Sequence, residues 1–445
     1  MSGFMQDAPR GNFRRYDPHQ TLLLPPSLED WLPAGHLARF ISGLVENEID
    51  LTPFMEGYEN EEGGNPAFHP ALMLKLWLYG YCVGTASSRR VARATYEDLA
   101  FRYLAADQHP TFTPLARFRL RNLANMDRLF LDVLRMCQEA GLVGMARLAL
   151  DGTKVKASAS KHKAMSHGRM VEKEKQLDEE LRKNIQEFLR KGIEVDAEED
   201  RLYGDTNPYL HELPEGWKTK KEQLEKIRAA RKRLEEREKE KAKAAGKEDA
   251  PIDPKVQINF TDPESRIMPD GANRGSFVQA YNCQAMVDEK AQIIVAAEAT
   301  QAPQDQQQMV PMVNATIRNT GMIPQELDAD AGYFSEPAIR EVEERGIDVY
   351  CPPDAGRKTE RGTCPRGRPP EGETFTEKMR RKVRSVAGKE HYRHRKFIVE
   401  PVFGQIKQGR GLRQFLLRGF EKARAEWRLM ALTHNLRKLH LVRVA

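Results

Sequence analysis

Three acidic residues stand where carboxylates could take part in chemistry. Asp151 ends the apolar run ARLAL, Asp330 ends the segment PQELDA, and Glu400 is the sole acid in the basic stretch HYRHRKFIVEPVFGQIKQGRGLRQFLLRG. Two carboxylates held close together repel each other, and a bound divalent cation removes that repulsion. Carboxylate oxygens suit hard ions such as Mg²⁺ or Mn²⁺. The chemistry these residues suggest is therefore metal-dependent.

Asp151 and Asp330 each follow a short apolar run and precede a glycine-containing turn, which predicts two strands that end at these acids. Ligand sites in open α/β sheets lie at the carboxyl ends of strands, so we expect the two side chains to face each other. A single Asp at a strand end is commonly a turn residue, and the metal hypothesis depends on the pair. Asp328 would share a strand face with Asp330 and is the alternative second acid.

Glu400 lies in an apolar stretch, where an unpaired charge is unfavourable. Lys407 follows seven residues later, which is two helical turns on and the same helix face. The spacing predicts a metal-binding Glu beside a phosphate-binding Lys, although a salt-bridge role for Glu400 is the alternative. Pro401 disfavours helical geometry at the residue before it, so we expect Glu400 at a helix start or a kink.

The elements that must position these residues form a mixed α/β region after an all-helical one. The first region predicts a buried helix at 69–84, a second helix at 89–105 and a third at 113–122, in a helix-turn-helix-like arrangement. The third helix carries three arginines that either lie on DNA or form a solvated basic face: Arg117, Arg119 and Arg121.

After residue 140 the pattern predicts a strand, an insertion, a hairpin of two strands, a helix, a strand, a helix, a strand and a basic helical tail. The polar segment 301–308, whose only carboxylate is Asp305, is interpreted as a connecting loop. The insertion is dense in Lys, Glu and Arg and predicts a helical hairpin without a catalytic role. The predicted division is a helical domain at 1–140, the start of the core at 141–160, the insertion at 161–255 and the rest of the core at 256–445.

The composition agrees with a globular protein of more than one domain. The chain has 445 residues, of which 40% are hydrophobic and 31% charged, and its formal net charge is +6. That bias is too small to indicate nucleic-acid binding by itself, but basic residues dominate from 357 to 418 and surround Glu400, so we expect DNA contacts there. Five scattered cysteines predict free thiols rather than disulfides or a zinc site. No signal peptide or membrane span is predicted, which favours a soluble intracellular protein.

These segments together resemble a known family. LALDGTKVKASAS, DADAGYFSE, VEPVFGQIKQGRGLRQFLLRG and AEWRLMALTHNLRKL are similar to the sequence blocks of bacterial insertion-sequence transposases of the DDE class. The segment FHPALMLKLWLYGYCVGTASSRRVARATYEDLAFRYL resembles the accessory N-terminal domain of that family. The resemblance covers nearly the whole chain.

The resemblance implies a ribonuclease-H-like core in which Asp151, Asp330 and Glu400 bind Mg²⁺ or Mn²⁺, with two ions expected. It implies cleavage and joining of double-stranded DNA, at the terminal inverted repeats of the element and at target DNA, by a homodimer or larger assembly in the bacterial cytoplasm, associated with the nucleoid. The residues then expected to contact DNA are Tyr333, Arg395, Lys396, Lys407, Arg410, Arg117 and Arg121.

The chain departs from the family pattern before Glu400. The pattern places a Tyr, two residues, an Arg and three residues before the Glu, whereas four residues separate Arg395 from Glu400 here. Lys396 is therefore an alternative to Arg395 as the phosphate ligand. Three alternatives to a transposase remain at this stage: a metal-dependent nuclease that does not join DNA, an inactive DNA-binding remnant, and a coiled-coil scaffold built on residues 165–250.

Overall fold

The computed structural model describes most of the chain. The described residues are 27–56, 58, 67–159, 163–203, 215–244, 246–247, 250–270, 275–354 and 370–444, with the side chains of 188–203 and 215–218 left out. Residues 204–214 of the predicted hairpin, Cys364 and the first residues of the basic segment, 357–369, lie outside these ranges.

The N-terminal part of the described chain is helical. Its helices are α1 (Leu37–Asn47), α2 (Thr52–Met55), α3 (Pro70–Cys82), α4 (Ser88–Glu97), α5 (Leu99–Leu104), α6 (Phe112–Arg121) and α7 (Leu123–Glu139). Helix α3 is the predicted buried helix, and every one of its residues is buried. The side chain of His69 caps its N-terminus by accepting from the N–H of Ala71 at 3.2 Å.

The helix expected at 89–105 is two helices. Helix α4 ends at Glu97, and Asp98 adopts an extended backbone that begins α5. The Asp98 carboxylate accepts from the backbone N–H groups of Ala100 at 2.8 Å and Phe101 at 3.1 Å. A short acidic side chain at this position competes for the backbone more effectively as an N-cap than as an interior helix residue, which explains the break.

Six described strands form one mixed sheet. They are β1 (Arg147–Lys156), β4 (Arg266–Pro269), β5 (Phe277–Asp288), β6 (Ile294–Thr300), β7 (Glu326–Ala329) and β8 (Asp348–Tyr350). β5 pairs antiparallel with β1, β4 and β6, while β7 lies parallel to both β1 and β8. The predicted mixed α/β sheet and its helical N-terminal region are confirmed, and the strand arrangement is consistent with a ribonuclease-H-like fold.

The sequence predicted that strand β1 ends at Asp151, and this prediction is wrong. The strand continues to Lys156 because β5 pairs with it along that whole length. What ends near Asp151 is the parallel partner, since β7 stops at Ala329, opposite Leu150. The glycine after Asp151 therefore lies within a strand rather than at a turn.

Helices α10 (Met309–Thr320), α11 (Glu336–Glu343), α12 (Phe375–Arg384), α13 (Val386–Gly404) and α14 (Phe420–Val444) complete the core. Helix α10 ends as predicted at Gly321, whose φ of 69° is the left-handed conformation that favours glycine. Helix α13 contacts β1, β5 and β7. Helix α14 contacts both the N-terminal helices α3 and α7 and the strand β6, so it joins the two parts of the chain.

The insertion forms the expected helical hairpin. It consists of the strand β2 (Ala164–Ser166) and the helices α8 (His167–Tyr203) and α9 (Glu215–Ala244). Strand β2 pairs antiparallel with β3 (Gln257–Asn259), which lies just beyond the predicted boundary at 255. A small apolar cluster of its own joins them, through Met170, Leu177, Leu224, Ile227, Ala230, Leu234 and Ile258. Ile185, further along α8, is exposed and lies outside this cluster.

In the described residues, no helix is long and apolar enough to cross a membrane. The cysteines Cys82, Cys137, Cys283 and Cys351 are buried free thiols, as predicted.

Candidate active site

The first two predicted acids lie side by side in the sheet. The parallel register pairs Leu150 with Ala329, so the next residue of each strand segment is Asp151 on one side and Asp330 on the other. Neighbouring strands lie about 4.8 Å apart, and side chains at matching positions point to the same face. The Asp330 carboxylate also caps the short 3₁₀ turn Ala331–Tyr333 by accepting from the N–H of Gly332 at 2.8 Å.

Burial raises the pKa of Asp151 to about 6, and the negative charge of Asp330 adds to this effect while the Arg395 guanidinium opposes it. The Arg395 guanidinium lies 3.2 Å from the Oδ2 atom of Asp151 and only partly offsets this burial. Two adjacent carboxylates of this kind offer oxygen ligands that suit a hard divalent cation. The donor set of Asp151 and Asp330 is thus suited to Mg²⁺ or Mn²⁺.

Arg395 is a buried residue of α13, and its guanidinium also lies over the ring of Tyr392, 5.6 Å from the ring centre. In this structure it pairs with a predicted metal ligand instead of presenting its charge to solvent. Lys396, the alternative phosphate ligand, is exposed on the same helix.

Glu400 lies inside α13, so the helix start is wrong as one of the two positions that Pro401 predicts, and a kink at Glu400 stays a prediction. The proline ring cannot donate a hydrogen bond to the carbonyl of Phe397, four residues earlier, and the Gln292 side chain donates to that oxygen at 2.9 Å instead. This compensation lets the helix continue to Gly404. The Glu400 side chain is exposed, and among the described residues no group of three acidic, His or Cys side chains is close enough to hold a metal.

Lys407 follows in a π-helical turn, Gln405–Gly409, after α13. Its ammonium donates to the hydroxyl of Thr153 and to the carbonyl of Lys154, the latter at 2.8 Å. Burial lowers the pKa of Lys407. Lys407 therefore fastens the end of α13 to β1, two residues beyond Asp151, and Glu400 lies between this contact and the Arg395–Asp151 pair along the helix.

Asp328, the alternative second acid, occupies a different environment from Asp330. Its side chain is fully buried, and one carboxylate oxygen lies 3.1 Å from Nδ1 of His391 on α13. Nε2 of the same imidazole lies 2.6 Å from the Glu326 carboxylate. His391 thus joins α13 to β7 through two acids. Asp328 is enclosed by this contact, whereas Asp330 lies beside Asp151.

A polar network that the sequence did not reveal lies beside the two acids. Tyr333 is fully buried, and its hydroxyl donates to Oε1 of Gln284 on β5. Gln284 in turn donates to Oδ1 of Asp305 at 2.8 Å, and Asn282 donates to the same oxygen at 2.6 Å. The segment 301–308 is the predicted connecting loop, but it carries an acid into the neighbourhood of the site. Buried Tyr333 presents no surface to DNA, contrary to the expectation for it.

Two other basic residues are also placed differently from expectation. Arg410 is buried, and its guanidinium donates to the carbonyls of Tyr81 and Met430 and to the hydroxyl of Thr433. This position between α3 and α14 is inconsistent with the predicted DNA contact. Arg119 is buried as well, over the ring of Trp77 at 4.3 Å.

Arg117 and Arg121 are exposed on α6, as a DNA-facing surface requires. Arg121 donates to the carbonyl of Glu56 at 2.9 Å and lies over the ring of Tyr58. On α12, several predicted basic contacts are instead paired with acids, since Arg380 binds Asp354 and Arg381 binds Glu373.

Comparison with known proteins identifies two segments of the chain. The family described as "Transposase DDE domain" matches residues 255–436. The family described as "Transposase domain (DUF772)" matches residues 26–121. No curated protein and no solved structure shows significant similarity to the chain. The first match contains Asp330 and Glu400 with their supporting helices, and the second contains the helices from α1 to α6. Both families are transposase families, and the two matches are consistent with an insertion-sequence transposase of the DDE class.

Proposed function

We propose that this transposase binds the ends of its insertion sequence, cleaves DNA strands there and transfers the ends to target DNA, with Asp151, Asp330 and Glu400 as its metal-binding residues. The observation that carries the proposal is the adjacent placement of Asp151 and Asp330 on parallel strand segments, together with the raised pKa of Asp151. Such a pair could bind a divalent cation, which would add to the positive charge that Arg395 places beside Asp151.

The second acid is assigned to Asp330 rather than Asp328. Asp328 is fully buried against His391, so it has no open side from which to reach DNA. Glu400 is assigned as the third acid because it is exposed on α13 between two contacts of that helix with β1, from Arg395 and from Lys407. The helix is thereby held over the strand that carries Asp151.

Two Mg²⁺ or Mn²⁺ ions, when bound, would activate the attacking water or 3′-hydroxyl and stabilise the leaving oxygen of the phosphate. The chain's own residues hold the acids in place and bind the DNA backbone. Exposed Lys396 is suited to a phosphate contact near Glu400, and Arg117 and Arg121 on α6 are suited to contacts with the transposon end. Lys407 anchors the helix and lies near enough to β1 to approach a phosphate held at Asp151.

The proposed organisation keeps four parts. Residues 1–140 serve end binding or an accessory role, 141–160 and 256–445 form the catalytic core, and the insertion at 161–255 has no catalytic residue. Because two transposon ends must be joined in one event, we also propose that the active species is a homodimer or larger assembly on DNA.

The test uses the full chain and DNA fragments from both flanks of its gene, with Mg²⁺ or Mn²⁺. We expect cleavage at the element ends by the wild type, and loss of cleavage with retained end binding in Asp151→Ala, Asp330→Ala and Glu400→Ala. Glu390→Ala is the matched control, because Glu390 is exposed on the same helix, where it pairs with His394. Retained cleavage in Asp151→Ala would refute the assignment.

Joining is tested separately with pre-cut ends and a supercoiled target plasmid. Strand-transfer products support a transposase reaction in full. Cleavage without joining would show a nuclease, and end binding without cleavage in either metal would show an inactive remnant.

A further inference from the structure

A fourth acid lies beside the two aspartates that the proposed function uses. Asp305 belongs to the loop between β6 and α10, and its side chain is 23% exposed. If Gly152, the residue after Asp151, carried a Cβ atom, that atom would lie 2.9 Å from Oδ1 of Asp305. A Cβ atom on Gly332, two residues after Asp330, would lie 3.8 Å from Oδ2 of Asp305. Asp305 therefore lies close to a residue that follows each of the two acids.

The two oxygens of Asp305 have different surroundings. Oδ1 accepts from Asn282 at 2.6 Å, from Gln284 at 2.8 Å and from the ammonium of Lys154 at 3.3 Å. The ammonium of Lys154 also donates to Oδ2, at 3.5 Å. These three hydrogen bonds occupy Oδ1 in this structure, so its contacts are with protein donors.

The same contacts connect Asp305 to the position of Asp330. Gln284 accepts from the hydroxyl of Tyr333, and Tyr333 ends the 3₁₀ turn that Asp330 caps. Asp305, Gln284 and Tyr333 form a chain of hydrogen bonds that runs from the loop, across β5, to the turn carrying the second acid. These hydrogen-bonded side chains can lie against β1 because Gly152 has no side chain. A Cβ atom there would lie 2.7 Å from Gln284 and 3.1 Å from Tyr333.

We propose that Asp305 is a positioning residue of the active site, which acts through Gln284 and Tyr333 to hold Asp330 in the metal-binding arrangement beside Asp151. This inference rests on the proposed function. Groups that orient metal ligands without binding the metal typically contribute 10- to 100-fold to metal affinity or activity, so we expect an effect of about that size.

The central variant is Asp305→Asn, which keeps the shape and one acceptor oxygen but removes the charge that Lys154 and the two amides share. We expect its Mn²⁺ dissociation constant, measured on DNA-free protein by the paramagnetic resonance of free Mn²⁺, to rise about 10-fold or more. The cleavage rate at saturating DNA should fall by a similar factor, and the Mg²⁺ concentration for half-maximal rate should rise. The dissociation constant for end DNA without metal should stay within about twofold of wild type.

Tyr333→Phe is the second variant, since it removes only the hydroxyl that donates to Gln284 and leaves every charge in place. We expect it to weaken Mn²⁺ binding in the same direction. Wild-type Mn²⁺ affinity in both variants would overturn the proposal. The proposal would also be overturned if thermal denaturation shows that a variant only yields less folded protein, and the folded protein has wild-type metal dependence.

A variant of Lys154 distinguishes a positioning role of Asp305 from simple balancing of the Lys154 charge. If Asp305 served only to balance the Lys154 charge, the double variant Lys154→Met, Asp305→Asn would recover wild-type Mn²⁺ affinity, and this outcome would refute the positioning role. Persistent weak binding in the double variant supports it. Asp151→Ala separates the two proposals: loss of cleavage there with wild-type behaviour in Asp305→Asn overturns only this inference, whereas retained cleavage in Asp151→Ala overturns the proposed function and this inference with it.

Discussion

Glu426 on α14 provides a sharp test of how the two parts of the chain are joined. Its side chain is fully buried, and burial raises its pKa. It accepts from the hydroxyl of Tyr81 on α3 at 2.8 Å and from the backbone N–H groups of Leu416 and Leu417 at 3.0 Å each. Arg119 donates to the same tyrosine hydroxyl at 3.0 Å. One carboxylate therefore joins α3, α14 and the segment before α14.

Replacing Glu426 with Ala leaves these buried donors without an acceptor and removes the negative charge near buried Arg119. Removing one partner of a buried charged group costs about 3–5 kcal/mol, because the remaining groups cannot regain water. We expect the free energy of unfolding to fall by about that amount. Glu426→Gln keeps one acceptor oxygen and should show a smaller loss.

Urea denaturation followed by tryptophan fluorescence measures this effect, since Trp427 is adjacent in sequence, Trp77 lies under Arg119 and both are fully buried. Glu421→Ala is the matched control on the same helix, because its side chain is 71% exposed and pairs with Arg424 at the surface. That control should change stability by no more than about 1 kcal/mol. A Glu426→Ala variant as stable as this control would refute the role of the buried carboxylate.

Three further predictions concern other parts of the fold. Gly84→Ala should destabilise the protein by about 2 kcal/mol or more, measured by urea denaturation, because φ is +81° there and an added Cβ would lie 2.2 Å from the carbonyl oxygen of Arg410; an unchanged midpoint would contradict the close approach. Arg410→Ala should lower the unfolding free energy by about 2–4 kcal/mol, since three buried acceptors lose their donor, and leave DNA affinity unchanged. Arg117→Ala should leave the unfolding free energy unchanged and weaken binding to end DNA. It should also reduce the slope of log K against log salt concentration by about one. An equal loss of DNA binding in the two variants would show that Arg410 is not confined to the interior. Burial lowers the pKa of His434 to about 3, below the 6.5 of an exposed histidine. Between these two pH values, the unfolded chain binds a proton at His434 and the folded chain does not. Stability from this group is therefore complete above pH 6.5 and lost as the pH falls toward 3, by about 2 kcal/mol at pH 5; His434→Gln should flatten this part of the stability–pH curve, and an identical slope in both proteins would disprove the buried neutral imidazole.

The sequence predicted the order of the core elements well because each has a local signal. The hairpin of β5 and β6, the helix closed by Gly321 and the strand before Asp330 are all marked by their own apolar runs and turn residues. The same local signals predicted that Asp151 and Asp330 would lie close together, although Asp151 lies within β1 and not at its end. The length of β1 did not, because it depends on pairing with β5, a partner more than 100 residues away.

Long-range contacts also decide the residues that the sequence interpreted wrongly or missed. The segment carrying Asp305 is a polar loop by every local criterion, and its acid reaches the site only because β5 presents Asn282 and Gln284 beneath it. Arg410 lies in a basic segment, yet a helix from the other end of the chain encloses it. A basic residue that serves the interior carries no local sign that distinguishes it from one that serves DNA.

Helix α13 continues through Pro401, although the local rule for proline disfavours this. That rule reflects a steric clash between the proline ring and the residue before it. The ring also leaves the carbonyl four residues earlier without its helical hydrogen-bond partner. Gln292, in the turn between β5 and β6, supplies that partner. The same residue accepts from Lys438 on α14 at 2.9 Å, so one turn side chain is bound to both helices.

Helix α13, which carries the proposed third acid Glu400, is therefore positioned by contacts that do not include that residue. Helix α13 is fastened to β7 by His391, to Asp151 by Arg395 and, just beyond its end, to β1 by Lys407. Between these points Glu400 keeps an exposed side chain, and its backbone lies within a helix that is held at both ends. Because the helix is fixed in this way, Glu400 can approach a metal beside Asp151 only through its own side-chain rotations or through release of one of these contacts. Lys407, which the sequence suggested as a phosphate ligand, thus contributes to the proposed site first by holding the helix that carries its third carboxylate.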